Sequence, residues 1–215
     1  MKAHYEIIQR TDAWHNMKHG KIGGTRSAGL FVKSDTLAIE LASEISEEWE
    51  QEDSFVNSAM QRGIDLEPLA IEQLEIYTSL KFIQVGWIES TENPMLGISP
   101  DGITECETIQ CEIKCPARKK HFENCLNEGI DKEYLPQLIH AFTVNDKLTR
   151  MVFASFRPEA LVPLSVRELM RESIVDLGTA AKPNLKTINE WVEISKLAGQ
   201  QIQVDVTAMI DKLKF

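Results

Sequence analysis

The residues best suited to chemistry lie in the middle of the chain: Ser99-Pro100-Asp101-Gly102 and, eleven positions beyond Asp101, Glu112-Ile113-Lys114. In a strand, side chains alternate between two faces. Glu112 and Lys114 then share one face, while Cys111, Ile113 and Cys115 share the other. The second set is small and apolar and is expected to face the core. The first is charged and needs water, a metal or partners. Asp101 closes the preceding strand in a Pro-Asp-Gly turn, and 104–108 reads as a hairpin loop. If the two strands pair, Asp101 approaches Glu112. Converging carboxylates repel each other unless a cation lies between them. Hard oxygen ligands with open positions suit Mg²⁺ or Mn²⁺. Such an ion polarises a phosphoryl oxygen and acidifies a bound water, and a second ion can stabilise the leaving oxygen. Lys114 can orient or deprotonate that water, or offset developing negative charge. The chemistry is that of phosphodiester hydrolysis. These residues alone are equally compatible with an exposed hairpin carrying an incidental ion pair.

The elements that must position these residues follow from local pattern. Ser34-Asp35 is expected to cap a helix through Leu37, Ile39, Leu41, Ala42, Ile45 and Trp49. Its outer face carries Glu40, Glu44, Glu47, Glu48 and Glu50. A break is expected at Gln51-Glu52-Asp53-Ser54. A second helix spans roughly Asn57 to Leu80, with Pro68 marking a restart or kink. Strands are predicted at 81–89, 95–98, 109–115, 150–156 and 161–166. Helices are predicted at 118–127, 132–145, 168–181 and 185–213, the last broken near Gly199. The order predicts an α/β fold with a small central mixed sheet flanked by helices.

With 215 residues, 43% hydrophobic and 26% charged, the chain reads as one globular domain spanning 1–215. The net charge of −10 argues against coating nucleic acid with the whole surface, while permitting a local basic groove. No apolar run reaches the ~20 residues that span a bilayer, and no secretory signal is visible, so a cytoplasmic protein is expected. The four cysteines, Cys106, Cys111, Cys115 and Cys125, include no Cys-x-x-Cys pair and read as structural or incidental thiols.

The 99–102 and 112–116 stretches, with Gln137 beyond them, resemble the lambda exonuclease (YqaJ, viral alkaline exonuclease) branch of the PD-(D/E)xK nuclease superfamily. Upstream, Asp12-Ala13-Trp14-His15 with Gly20 and Ile22 is similar to that branch's N-terminal block. Gly63-Ile64-Asp65-Leu66-Glu67 is similar to its Gly-x-x-x-Glu helix. The resemblance covers about residues 10 to 160; the strands and helices of about 161–215 carry no motif of the family.

It implies a restriction-endonuclease-like core and a Mg²⁺-dependent 5′→3′ exonuclease, with Mn²⁺ able to substitute and two ions per site. The enzyme would degrade one strand of linear duplex DNA and leave 3′ overhangs. A homotrimeric ring, a single-strand annealing partner and a role in phage recombination come with the resemblance. Carried over by position, Asp101, Glu112, Glu67 and the Ile113 carbonyl hold metal, Lys114 is the catalytic lysine, and Gln137 orients the site. Lys18 and Thr25 fall where the family grips a 5′-phosphate. Lysine there lacks the bidentate fork of arginine, and Arg26 is the candidate to compensate. Ser99, Arg118 and Lys119 are further DNA contacts, with Lys120 and His121 beside them. Met60 reads as core, or alternatively as a wedge between strands. Gln137-Leu138-Ile139-His140 departs from the family's Gln-x-Gln-Tyr. A structure-specific endonuclease or Holliday-junction resolvase is the alternative on the same fold, and a non-catalytic DNA-binding module is a third reading.

Overall fold

A computed structural model describes residues 1–32, 35–50 and 57–213. The elements are β1 (Lys2–His4), α1 (Asp12–Lys18), a 3₁₀ helix (Gly24–Phe31), α2 (Thr36–Ser46), α3 (Ser58–Thr78), β2 (Trp87–Glu89), β3 (Gly97–Ile98) and β4 (Gly102–Ile103). They continue with β5 (Ile109–Lys114), α4 (Arg118–Leu126), α5 (Leu135–Val144), β6 (Arg150–Phe156), β7 (Leu164–Met170), β8 (Ile174–Asp176), β9 (Leu185–Thr187) and α6 (Ile188–Lys212).

The central sheet has the order β4-β5-β6-β7. β4 and β5 form the expected antiparallel hairpin, with Gly102 opposite Cys111. β5 and β6 run parallel, with Glu112 opposite Phe153, and β6 and β7 run antiparallel. The parallel pair requires a crossover, supplied by α4 and α5. Cys111, Ile113, Val152, Ala154 and Phe156 form one apolar face, packed beneath Ala70 and Leu74 of α3. Met151 and Phe153 belong to a larger core shared with Leu138, Ile139 and Phe142 of α5 and Trp191 and Ile202 of α6. Both faces of the sheet are therefore covered. The alternation in β5 divides its side chains between two cores rather than between core and solvent: Gln110 and Glu112 are buried too.

Several local expectations give way to tertiary pairing. The helix expected at 168–181 is instead the end of β7 followed by a hairpin. β6 supplies a partner for every residue of Leu164–Met170, which outweighs local helical preference. β8 and β9 pair antiparallel, Ile174 opposite Thr187. α6 starts at a capping box, Thr187 with Glu190, and runs unbroken through Gly199. A Cβ at Gly199 would lie 3.0 Å from a methyl of Leu96, so this glycine serves close packing rather than a break. α3 is capped by Asn57 and continues through Pro68, which lies on the exposed face where water can reach the carbonyl left without a donor. Only Trp87–Glu89 of the 81–89 run forms a strand; Ile83 bridges Ile103 of the other sheet, so this segment crosses between sheets. β2 and β3 lie within the strands expected at 81–89 and 95–98, but they pair with β1, outside every expected strand, in a sheet of their own, β1-β2-β3. α2 ends at Ser46, short of Trp49, and Asp35 makes no capping bond. Ser34 and the break expected at 51–54 lie outside the described residues.

Candidate active site

β5 delivers Glu112 and Lys114 to the α5 side of the sheet, and Gln137 reaches down from the half-exposed flank of α5. Lys114 Nζ donates to Glu112 Oε1 at 2.5 Å and to Gln137 Oε1 at 3.2 Å. Gln137 Nε2 donates to the same Glu112 oxygen at 2.7 Å. The three side chains thus close a triangle around a carboxylate that is only 3% exposed. Burial alone would lower the Lys114 pKa; the Glu112 charge reverses this and holds it above the ordinary lysine value. Lys114 is therefore an ammonium while Glu112 is its partner.

Asp101 stands at the mouth of the β4-β5 hairpin, where its Oδ2 accepts the Ile113 amide at 2.6 Å. Burial, then the charges of Glu112 and Glu67, push its pKa well above that of an ordinary aspartate, against the weaker pull of Lys114 and the Ile113 amide. The Cys111 thiol, beneath the same strand, is raised by burial and then by Asp101, Glu112 and Glu67. Three acids from β5, the 99–102 turn and α3 therefore act on one small volume with a single ammonium among them.

Each acid is turned to a protein partner. Glu112 faces Lys114 and Gln137, Asp101 faces the Ile113 amide, and Glu67 is ion-paired with Arg10. Among the described residues, no three His, Cys, Asp or Glu side chains are gathered as a ready-made cation cage. The donor chemistry nonetheless fits a hard divalent cation. The set is all oxygen, and its charge is not matched by the protein's own cations.

The expected DNA-contact residues differ in how they are placed. Lys18 lies over the Trp14 ring, Nζ 3.6 Å from the centroid. Burial, aided by the Arg26 charge, lowers its pKa to about 8. Trp14 is held by bonds from its Nε1 to Ser99 Oγ at 2.7 Å and the Gly86 carbonyl at 3.0 Å. Ser99 Oγ donates to the same carbonyl at 2.6 Å, so its hydroxyl braces the loop behind Asp101. Thr25 is exposed at the start of the 3₁₀ helix, and Arg118 and Lys119 are exposed at the start of α4.

Arg26 is not free to replace an arginine at position 18: it is ion-paired with Glu44, one of the acids expected to line a solvated face. Lys120 is paired with Asp131 and Glu133. His121 is buried, bonded to Ser155 Oγ at 2.9 Å and the Val162 carbonyl at 2.8 Å, and so turned away from any DNA. Met60 is 51% exposed at the start of α3 and is not a core residue. All four cysteines are free thiols.

Sequence reasoning overlooked Arg10, which pairs with Glu67 across 57 positions, and no local signal marks it. It also overlooked Gly24, which packs on Gln137. The signal there was the Gly23-Gly24 pair, since adjacent glycines mark a close backbone approach.

The family model described as the YqaJ-like viral recombinase domain matches residues 13–148. Among solved structures, the fold is similar to that of the alkaline exonuclease LHK-Exo from Laribacter hongkongensis, at 23% identity and TM-score 0.77, covering 95% of this chain and 96% of that one. It is likewise similar to LHK-Exo in complex with dAMP, at 24% identity and TM-score 0.76 with the same coverage. A phage-related exonuclease from Haemophilus somnus 129PT is similar at 13% identity and TM-score 0.57, covering 91% of this chain and 97% of that one. No curated protein matches the chain. The shared architecture is the α/β, restriction-endonuclease-like core expected from the sequence.

Proposed function

This chain belongs to the YqaJ-like viral recombinase domain family, and from that premise we propose that it is a Mg²⁺-dependent 5′→3′ exonuclease acting on linear duplex DNA and leaving 3′ single strands. The observation that carries the reading is the meeting of Asp101, Glu112, Lys114 and Gln137 at the end of β5, although they are spread over 37 positions of the chain.

Asp101, Glu112, the Ile113 carbonyl and Glu67 are the residues that would hold Mg²⁺ or Mn²⁺, one ion or two. When bound, such ions polarise the phosphoryl group and acidify water. The protein's own part is to aim and to neutralise. Lys114 brings a fixed ammonium to where phosphate charge develops. Gln137 locks Lys114 and Glu112 in one geometry, so neither has to reorganise on substrate entry. The Ile113 amide fixes the rotamer of Asp101.

A 5′-phosphate is assigned to Lys18 with Thr25. Among the described residues no carboxylate is ion-paired with Lys18, whereas Arg26 and Lys21 are both paired. This half-buried cation, seated on a tryptophan that bonds Ser99 two residues before Asp101, favours an exonuclease over an endonuclease or junction resolvase, since a terminal phosphate exists only at ends. Arg118 and Lys119 would contact the phosphate backbone. The homotrimeric ring, the annealing partner and the recombination role rest on the family resemblance. No described helix is long and apolar enough to cross a membrane.

The test is degradation in Mg²⁺ of linear duplex with and without 5′-phosphates, beside covalently closed circles. Loss of linear DNA alone, faster with the phosphate, is the expected result. Nicking of circles would replace this reading with the endonuclease. Inertness in both Mg²⁺ and Mn²⁺ would leave the DNA-binding module.

A further inference from the structure

Gly24 is the first residue of the 3₁₀ helix and faces the amide of Gln137. A Cβ built there would lie 3.0 Å from Gln137 Cγ and 3.1 Å from Nε2, tighter than ordinary van der Waals contact. The backbone does not demand glycine. Gly20 is the only described glycine with a left-handed φ, and Gly24 lies in a region any residue adopts. What excludes a side chain is the neighbour.

That neighbour is the weaker side of the contact, because the chain around Gly24 is clamped. The Ile22 amide donates to the Met95 carbonyl at 2.7 Å, and the Ile22 carbonyl accepts from the Gly97 amide at 3.1 Å. The same carbonyl accepts from His140 Nε2 at 3.0 Å, one turn along α5 from Gln137. Beyond, Ser27 Oγ donates to the Gly24 carbonyl at 2.6 Å. Ile22 is fully buried. A methyl at position 24 therefore moves Gln137 rather than the 22–27 segment.

We propose that Gly24 is a positioning residue for the nuclease site: its bare backbone forms the wall that holds the Gln137 amide on Glu112 and Lys114. The inference rests on the nuclease reading above and adds to it a coupling between the N-terminal segment and the α5 side of the site. The segment that ends at Thr25, the assigned phosphate contact, is then also the segment that sets the Glu112–Lys114–Gln137 triangle.

The test is a double-mutant cycle on the full chain, with single-turnover rates and KM on 5′-phosphorylated linear duplex and thermal melts of every variant. Gly24→Ala is expected to lower kcat about tenfold, the scale set by displacing an aligned group by a few tenths of an ångström, with KM changed less than about twofold. Against Gln137→Ala, which removes the obstructed amide, the same substitution is expected to change kcat less than about twofold. A merely structural role would weaken both backgrounds alike. Equal losses in the two backgrounds, or no loss in the wild-type background, overturn the inference while the wild-type enzyme remains active. If Gly24→Ala unfolds alone but not with Gln137→Ala, the clash is confirmed. If it unfolds in both, the obstacle is not Gln137 and the inference fails. An inert wild-type protein would instead overturn the nuclease reading, and this inference with it.

Discussion

Replacing Asp101 with asparagine separates its cost to the fold from its use to the enzyme. The Asp101 pKa is raised by burial and by the Glu112 and Glu67 charges, so the metal-free fold prefers the neutral acid. The sign follows from linkage: a carboxyl raised in the folded state withdraws stability as pH climbs from the ordinary aspartate value near 3.8 through the raised one. The loss grows across that window. Asparagine removes it. Relief of an unmatched buried charge is worth on the order of 1–3 kcal/mol. Against this, the bond from the Ile113 amide loses its charge assistance, about 1 kcal/mol. The net is a gain of about 1 kcal/mol, or about 2–4 °C in Tm for a chain of this size. Mg²⁺ should act unequally on the two proteins. At a hundredfold excess over Kd, a bound ion adds about 2.7 kcal/mol to the wild type, or about 5–10 °C. Asp101→Asn, having lost a ligand, should gain far less. The assay is thermal unfolding at pH 7.5 in EDTA and in MgCl₂, paired with nuclease rates. An asparagine variant that melts below wild type in EDTA, or that gains as much from Mg²⁺, would refute the account of Asp101 as an acid crowded by like charges and relieved by a cation.

Lys114→Ala should lower turnover by about 10²–10⁴-fold while DNA affinity by fluorescence anisotropy stays within about threefold, because the acids and the basic surface remain; a parallel loss of binding would make Lys114 a substrate anchor instead. The Lys18 amine, with its pKa lowered to about 8, is charged below that value and neutral above it. On 5′-phosphorylated ends, kcat/KM should therefore fall about tenfold per pH unit above 8, while 5′-hydroxyl ends show no such limb; identical profiles for the two ends would remove Lys18 from phosphate recognition. Gly199→Ala should cost about 1–3 kcal/mol, since its methyl meets Leu96 at 3.0 Å in a closed core; an unchanged midpoint in denaturant would show that α6 can shift away without penalty.

What the sequence determined unaided was local and chemical. The largely apolar run at Arg150–Phe156 and the alternation at Ile109–Lys114 mark two strands of the sheet, because apolar patterning and side-chain period are properties of neighbours in the chain. The Asp101, Glu112 and Lys114 types and spacing were legible for the same reason: a short hairpin brings the first toward the second whatever else the fold does. Tertiary structure decided the rest. Segment 168–181 could follow its helical leaning only if β6 had no free edge, and the edge was free. Arg26 is drawn off by Glu44, Glu67 by Arg10, and Lys120 by Asp131 and Glu133. Which cations remain uncommitted depends on the partners that folding brings near, and that cannot be read from charge runs. Gln110 and Glu112 show the limit most plainly. The charge on Glu112 called for water, a metal or partners, yet both side chains are buried and Glu112 is met by Gln137 of α5, because a helix docking on a sheet is settled by the whole core and not by the strand beneath.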